Sequence, residues 1–320
     1  MRPLKVFVDQ ASLRHNLAVV KQLAPKSKIM SVVKANGYGH GLINVAQGLS
    51  ESDGFAVLAL NEAIDLREHG FEQDILLLEG AFESYEISIA AKMRFNLVVH
   101  NLHQLQMIEK LKLNHPIDIH FKINTGMNRL GFNPNEAKEI LKTLQNKSHF
   151  KSITLMTHFA TADEPKGVDW QLTVFNDIAQ HFNFSHSVAN SASIVNFKKT
   201  HLDWVRPGIM LYGASPIMGQ KSSAFNIKPV MQLKSKIIAI QNLSKDDSVG
   251  YGETFKAKNY ALLGVSADSA AKHQNFINKY DLPFPLIADV NKEIISAYGC
   301  WGLKKFMGRE YEGIHRMTFI

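Results

Sequence analysis

The chain has 320 residues, and its 36 Lys and Arg against 29 Asp and Glu give a formal net charge of +7. Hydrophobic residues make up 45% and charged residues 20%, which excludes a disordered chain and is typical of a globular protein with a large core. The single cysteine, Cys300, excludes an intrachain disulfide framework and a Cys-rich zinc site, and no apolar run approaches the roughly 18 residues of a membrane helix. We therefore expect a cytoplasmic protein without membrane contact.

The first predicted elements are a strand and an amphipathic helix. The strand covers residues 4–9. The helix begins near Ser12, because one of its faces carries the apolar residues Leu13, Leu17, Val20 and Leu23.

Residues 27–213 alternate short β-rich runs with helical patterns. Several runs are continuously apolar, as in a parallel strand that is covered on both faces. Two of the helices are predicted at 61–69, with Asn61 as N-cap, and at 135–145, after Pro134. Eight strand–helix units in about 190 residues favour a (β/α)8 barrel of the TIM type over an open doubly wound sheet. The predicted strands are residues 27–34, 54–60, 74–80, 95–100, 117–123, 151–159, 185–191 and 204–212.

A β-domain is predicted to begin at about residue 226. Residues 229–243 alternate polar with apolar side chains, which predicts a half-buried antiparallel strand; its apolar positions are Met231, Leu233, Ile237 and Ala239. Residues 249–255 are predicted as the next turn and strand. Beyond Gly264 the pattern changes to helix, loop, short strand and helix, which indicates an α/β fragment. The predicted domains are 1–225, 226–263 and 264–320.

Barrel enzymes carry their catalytic residues at the carboxyl ends of the strands. Cations, imidazoles and hydroxyls stand there in this chain, which suits an anionic, aromatic ligand, and no cluster of Asp and Glu predicts a metal site. These strand-end residues are Lys34, His100, Lys122, His158, Ser191 and Arg206. Basic residues elsewhere are scattered, and pairs such as Lys198-Lys199 lack an aromatic platform, so we expect no nucleic-acid partner.

The first barrel strand leads into the segment KANGYGHG, which begins at Lys34. A lysine at a strand end, followed by glycines, can place its amine in a confined pocket, where its pKa falls and Schiff-base chemistry becomes possible. Tyr38 can place its hydroxyl on a phosphate. The segment closely resembles the pyridoxal-phosphate motif of alanine racemases, and the resemblance extends over about residues 1–263. It implies that Lys34 and Tyr38 hold pyridoxal phosphate.

The segment FKINTGMNRLG, residues 121–131, resembles the second signature of that family. The resemblance implies that Lys122 is carbamylated and orients Arg129. It also implies that Arg129 reaches the phenolate of the cofactor and the carboxylate of the substrate. The family usually has aspartate where this chain has Asn124.

Two further segments resemble the family's contacts with the cofactor ring. His158 is similar to the histidine that stacks on the pyridine, and Arg206 is similar to the arginine that faces the pyridine nitrogen. A guanidinium does not give up its proton in proteins, so the ring nitrogen would receive no full positive charge. The weaker electron sink that results favours proton removal and return over transamination.

The phosphate contacts are also implied by the resemblance. Asn190 and Ser191 match the family's phosphate-binding turn, with Ser191 as donor. The backbone amides of Gly208 and Ile209 would bind the same phosphate, because oriented N–H groups hold anions.

The segment VGYGETF, residues 249–255, resembles the part of the family that carries a tyrosine base. Racemisation needs bases on opposite faces of the α-carbon, and Lys34 would serve one face. Tyr251 would serve the other from the partner subunit of a homodimer, which the complete β-domain would build. The implied activity is the interconversion of L- and D-alanine, with D-alanine supplied for peptidoglycan.

From about Gly264 the chain resembles peroxiredoxins of the bacterioferritin-comigratory type, in GVSADS at 264–269 and KYDLPFPL at 279–286. The peroxidatic cysteine of that family lies upstream of the matched region, and Cys300 stands elsewhere, so a thiol peroxidase is the weakest hypothesis. Because this segment replaces the rest of the racemase β-domain, turnover is expected to suffer more than cofactor binding. A non-catalytic barrel that binds pyridoxal phosphate is the alternative, against which Tyr251 and Lys122 favour the racemase.

Overall fold

The computed structural model describes residues 4–145, 147–236, 243–244, 246–249, 255–256, 264–266, 268–280, 286–297, 301–306 and 309–314. The chain divides into two compact units, Met1–Lys236 and Ile237–Ile320. Within the described residues, no helix has the length and apolar character needed to cross a bilayer.

Eight parallel strands, β2 to β9, close into a barrel, which confirms the predicted TIM-type fold. Each strand pairs with the next one along the chain, and β9 pairs with β2 to complete the ring. Each of the eight predicted runs therefore overlaps one barrel strand. The strands are β2 (Lys28–Val32), β3 (Gly54–Val57), β4 (Asp74–Leu77), β5 (Phe95–Val99), β6 (Ile117–Lys122), β7 (Phe150–Met156), β8 (Ser185–Ala189) and β9 (Trp204–Val205).

The last barrel strand is much shorter than the predicted run 204–212. It ends at Val205 because Pro207, two residues later, has no amide proton to donate to a continuing ladder. Residues Ile209–Tyr212 form a 3₁₀ turn instead. This early end places Arg206 and Gly208 in a loop at the mouth of the barrel.

Helices between the strands pack their apolar faces on the outside of the barrel. The strand β1 (Lys5–Val8) and the helix α1 precede the barrel, and α1 starts with Asp9 as N-cap, whose carboxylate accepts from the Ala11 amide. The helices are α1 (Gln10–Leu23), α3 (Leu42–Gly48), α4 (Leu60–Glu68), α5 (Ser84–Met93), α6 (Leu102–Lys110), α7 (Pro134–Leu144), α8 (Asp169–Ala179) and α9 (Ser191–Asn196), and the short turn α2 (Lys34–Tyr38) follows β2.

The first residues of α4 and α7 can be compared with the predicted helix starts. Helix α7 begins at Pro134, and Asn133 caps it by accepting from the Asn135 amide at 3.1 Å. The prediction of Asn61 as N-cap of α4 is wrong. That helix begins at Leu60, since the Glu62 carboxylate already accepts from the amides that precede it.

The lumen of the barrel is filled by side chains at alternate strand positions. Because neighbouring residues of a strand point to opposite faces, Met30 and Val32 of β2 face inward while Ile29 packs under the helices. The inner cluster consists of Met30, Val32, Ala56, Leu76, Val98, Met156 and Trp204. It forms an apolar floor below the strand ends.

The strand β10 (Met231–Lys234) pairs antiparallel with β1 in a two-stranded sheet, with Val6 opposite Leu233. The prediction of a half-buried strand is wrong here, because Met231 is 39% and Leu233 68% exposed. Within the described residues no third strand joins this sheet. The predicted apolar positions Ile237 and Ala239 lie outside the described residues.

The exposed Val6–Leu233 pair is expected to promote self-association, since within the described part of the chain no further strand pairs with the edges of this two-stranded sheet and Leu233 is exposed. Leu233→Lys is expected to slow aggregation while changing the free energy of unfolding by less than about 0.5 kcal/mol. Light scattering during incubation measures the effect. Gln232→Lys, which adds the same charge on the other face, is the matched control. Equal aggregation of both variants and the wild type would contradict the prediction.

The second unit contains the predicted order of helix, strand and helix. The strand β13 (Gly264–Ser266) pairs in parallel with β14 (Leu286–Ala288), and α10 (Ala270–Tyr280) connects them, which makes a β-α-β unit. The other elements are the hairpin of β11 (Ser248–Val249) and β12 (Phe255–Lys256), the helix α11 (Glu293–Ala297), and the hairpin of β15 (Trp301–Phe306) and β16 (Arg309–Ile314).

Candidate active site

Lys34 stands directly after β2, at the mouth of the barrel, where the chain makes an unusual turn. The four residues that follow Lys34 all have left-handed backbone, with φ of 54° at Ala35, 53° at Asn36, 61° at Gly37 and 52° at Tyr38. Left-handed backbone is unfavourable for L residues and persists only where the surroundings hold it. Burial lowers the pKa of Lys34, and the nearby Arg129 cation lowers it further.

Tyr38 is held at the end of this turn by a second tyrosine. The ring of Tyr212 stacks on the ring of Tyr38 with a centroid distance of 4.6 Å. The Tyr212 hydroxyl donates to the Val32 carbonyl at 3.0 Å. A Cβ atom on Gly208 would lie 2.8 Å from the Tyr38 hydroxyl oxygen. Only glycine therefore leaves room for that hydroxyl beside the backbone at position 208.

Ser191 and Gly208 meet at the same place. The Gly208 amide donates to Ser191 Oγ at 2.8 Å, and Ser191, at the start of α9, keeps its own hydroxyl proton for donation. Asn190 is the N-cap of α9, accepting from the Ser193 amide at 3.0 Å. The hydroxyls of Tyr38 and Ser191 thus lie beside the backbone amide of Gly208. Hydroxyl and amide protons that converge in this way can bind an anion.

Arg206 is almost fully buried at the centre of the mouth. Its Nη1 donates to the carbonyl and the hydroxyl of Ser187 at 2.6 and 2.7 Å, and its Nη2 donates to the Thr157 carbonyl at 2.6 Å. The planar fork therefore joins β8 to the end of β7. Burial lowers the pKa of Arg206 to about 9, so the guanidinium is still charged at neutral pH.

His158 adjoins this guanidinium, with Arg206 Nη2 3.5 Å from its Nδ1. Burial lowers the pKa of His158 well below its usual range, and the cations Arg206, Lys122, Arg129 and Lys34 lower it further. The imidazole is therefore neutral at physiological pH. Because the charges of these four side chains all act on His158, the predicted site residues of the barrel mouth lie close enough to interact electrostatically.

Lys122 ends β6 with its side chain buried in the lumen. Burial lowers its pKa to about 8, and the cations Arg206, Arg129 and Lys34 add to the shift. Arg129 is exposed in the loop that follows. Asn124 organises that loop, because its Oδ1 accepts from the amides of Gly126 and Asn128 and its amide donates to the Asn128 side chain. An aspartate at this position would lose the last of these hydrogen bonds.

The structure brings together the predicted site residues of the barrel, whereas Tyr251 and Cys300 lie outside the described residues. His100 also stands at the mouth, where its Nε2 meets the Glu79 carbonyl at 3.1 Å. Tyr212 was not predicted as a site residue, because it lay inside the predicted last strand, which was too long. His120, a buried imidazole on the same face of β6 as Lys122, was not predicted either, although strand alternation could have found it.

Arg206→Lys is expected to lower the free energy of unfolding by about 2 kcal/mol. A lysine has one nitrogen and reaches only one of the two strands, so at least one hydrogen bond to a charged donor is lost and a buried carbonyl is left without it. Denaturant unfolding measures the loss. The conservative exchange Arg94→Lys, at the end of α5, is the control. Equal midpoints for the wild type and Arg206→Lys would contradict the argument.

Comparison with known proteins gives two families. The family model described as the alanine racemase N-terminal domain matches residues 8–216, and the AhpC/TSA family model matches residues 249–320. The alanine racemase of Nitrosospira multiformis is 45% identical over 273 residues, which cover 84% of this chain and 76% of that protein. The alanine racemase of Nitrosomonas europaea is 48% identical over 271 residues, which cover 83% and 75%. The biosynthetic alanine racemase from Pseudomonas aeruginosa has the same fold with a TM-score of 0.74 at 37% identity, covering 81% of this chain and 73% of that one.

Proposed function

The chain belongs to the alanine racemase family, and from this premise we propose that it interconverts L- and D-alanine with pyridoxal phosphate bound at the mouth of the barrel. One observation carries the proposal: the Tyr38 hydroxyl, Ser191 Oγ and the Gly208 amide lie together at a barrel mouth where two arginines act electrostatically on His158. A cationic mouth of this kind suits a ligand with a phosphate and a carboxylate.

The phosphate would be bound by neutral donors. Tyr38 and Ser191 would donate their hydroxyl protons, with Asn190 fixing the start of α9. The Ile209 amide would add a backbone donor, and the Gly208 amide would add another on exchanging its hydrogen bond to Ser191 Oγ for one to the phosphate. The absence of a side chain at Gly208 supports this assignment, since a Cβ there would displace the Tyr38 hydroxyl.

The ring of the cofactor would be bound by His158 and Arg206. The neutral imidazole would offer an aromatic face, and the guanidinium would face the pyridine nitrogen as a fixed charge that keeps its protons. When bound, pyridoxal phosphate supplies an electron sink that stabilises negative charge at the α-carbon of alanine. Lys34 would hold the cofactor through its amine and act as base on one face of the α-carbon, which its lowered pKa supports.

Arg129 would bind the substrate carboxylate, and Lys122 would orient it as a carbamate. The lowered pKa of Lys122 supports this modification, because only the neutral amine attacks carbon dioxide. A bond forms between Nζ and the carbon, a proton leaves the nitrogen, and the product carries a negative charge among Arg129, Arg206 and Lys34.

Tyr251 would be the base on the opposite face, contributed by the partner subunit of a homodimer. The residue falls where the racemase resemblance and the AhpC/TSA match overlap, since that match begins at residue 249. Residues 226–263 would then be the start of a racemase β-domain and 264–320 a peroxiredoxin-like segment. The enzyme would act in the cytoplasm and supply D-alanine for peptidoglycan.

Solvent deuterium exchange at the α-carbon of alanine tests the two-base proposal. With pyridoxal phosphate, the wild-type chain is expected to exchange the α-proton of both enantiomers. Tyr251→Phe is expected to exchange one enantiomer only and to racemise alanine about 10²- to 10⁴-fold more slowly. Tyr85→Phe, at an exposed tyrosine of α5, is the control. Full racemisation by Tyr251→Phe would refute the role of Tyr251, and a wild type that binds the cofactor without exchange would be the non-catalytic barrel.

A further inference from the structure

The turn that carries Lys34 is held in a conformation that its sequence disfavours. Three of its four left-handed residues, Ala35, Asn36 and Tyr38, have a side chain. Such backbone persists only where neighbouring groups hold it. Inside the segment, the Gly37 amide donates to the Val33 carbonyl at 2.8 Å and the Leu42 amide donates to Asn36 Oδ1 at 2.8 Å.

A carboxylate from another element binds the same turn. Glu62, in the first turn of α4, accepts from the Asn36 amide through Oε1 at 2.8 Å. Its Oε2 accepts from the amides of Leu58 and Ala59 at 3.1 and 3.4 Å. One side chain therefore links the turn after β2 to the end of β3, and both of its oxygens are used.

The charge of Glu62 also acts on Lys34. Burial and the Arg129 cation lower the pKa of the Lys34 amine, whereas the carboxylates of Glu79 and Glu62 raise it. Lys122 is a further charged neighbour, since its own pKa is lowered by the Lys34 cation. Glu62 differs from Glu79 in that it also binds the backbone of the turn.

We infer that Glu62 is a positioning residue, which fixes the left-handed turn and thereby aims the Lys34 amine and the Tyr38 hydroxyl at the cofactor. The inference rests on the proposed function, since it takes Lys34 as the cofactor lysine. Glu62 touches neither substrate nor cofactor in this account. Its effect is transmitted through the Asn36 amide, two residues from Lys34.

Glu86 provides a matched control for the loss of the helix cap. It occupies the equivalent position in α5, where its Oε2 accepts from the amides of Phe82 and Glu83 at 2.6 and 3.1 Å. Glu62→Gln and Glu86→Gln therefore remove the same charge and weaken the same kind of helix cap, because hydrogen bonds to a charged acceptor become hydrogen bonds to a neutral one. A glutamine has one acceptor oxygen, so at position 62 it serves either Asn36 or the cap, but not both.

The first measurement uses the full chain prepared without cofactor. Amide hydrogen exchange of residues 34–38 is expected to be at least about tenfold faster in Glu62→Gln than in the wild type and unchanged in Glu86→Gln. The pH at which Lys34 becomes half-reactive toward an acylating reagent is expected to fall in Glu62→Gln only, because a negative charge near the amine is gone. Identical exchange and identical Lys34 titration in the two variants would overturn the inference.

The second measurement is titration of each variant with pyridoxal phosphate. Glu62→Gln is expected to bind it roughly tenfold or more weakly than the wild type, while Glu86→Gln binds it normally. Equal affinity of all three chains would overturn the inference. A wild type that does not bind pyridoxal phosphate would refute the proposed function instead, and the exchange comparison would still decide the role of Glu62.

Discussion

Lys34→Ala is expected to lower alanine racemisation by at least about 10⁴-fold and to abolish the long-wavelength absorbance of bound pyridoxal phosphate. The reason is that one amine performs two tasks in the proposed reaction, since it holds the cofactor and removes a proton from the α-carbon. The amine is suited to both because burial and the Arg129 cation lower its pKa. Chiral chromatography of the alanine product measures the activity.

The matched control is Lys28→Ala, at the opposite end of the same strand β2. Lys28 lies over the Trp204 ring at 5.3 Å, away from the carboxyl ends of the strands. Its removal is expected to leave both racemisation and the cofactor absorbance unchanged. A Lys34→Ala variant that keeps either property would show that another residue is the cofactor lysine.

Lys122→Met is expected to stabilise the fold and to impair the enzyme. In carbon dioxide-free buffer at pH 7, the free energy of unfolding is expected to rise by about 3 kcal/mol, because a buried ammonium with a pKa of about 8 is replaced by an apolar side chain of similar length. Racemisation is expected to fall, because Arg129 loses the group that orients it. Stability and activity therefore change in opposite directions.

The difference in stability between Lys122→Met and the wild type depends on pH, because the pKa of Lys122 is lower in the folded chain than in the unfolded chain. Between about pH 8 and pH 10.5 the unfolded chain holds a proton at Lys122 that the folded chain has released, so the stability of the wild type rises with pH in this window. The loss of stability that burial of the charged Lys122 causes is fully present below about pH 8 and is gone above pH 10.5. The advantage of Lys122→Met should therefore disappear over the same range.

Denaturant unfolding at several pH values measures this advantage. Lys110→Met, at an exposed lysine that ends α6, is the control. The difference in stability between Lys110→Met and the wild type should not change with pH over this range. Added bicarbonate should stabilise the wild type and Lys110→Met but not Lys122→Met, because a carbamate on Lys122 is an anion among three cations. A wild type as stable as Lys122→Met at pH 7 without carbon dioxide would contradict the argument.

Much of the barrel could be predicted because its signal is local and repeated. A continuously apolar run such as that of β3 or β4 is typical of a parallel strand that is covered on both faces, and such a run is recognised from consecutive residues alone. The site residues at the strand ends follow from the fold, since a barrel brings all carboxyl ends to one rim. The positions of Lys34, Lys122 and Arg206 at this rim could therefore be predicted from the sequence.

The features that could not be predicted depend on contacts distant in sequence. The left-handed turn after Lys34 is contacted by Glu62 and Tyr212, which reach it from other elements of the chain. Asn61 is the better capping residue by propensity, yet the Glu62 carboxylate decides where α4 begins. The exposure of Leu233 could not be read from its strand either, because alternation shows which residues share a face but not whether anything covers that face.

Racemase activity is measured by incubating the purified full chain with pyridoxal phosphate and L-alanine and following D-alanine by chiral chromatography. We expect D-alanine to accumulate until the enantiomers are equal in amount, since their free energies are identical. A chain that binds pyridoxal phosphate through Lys34 but forms no D-alanine would contradict this expectation and would leave a cofactor-binding barrel without racemase activity.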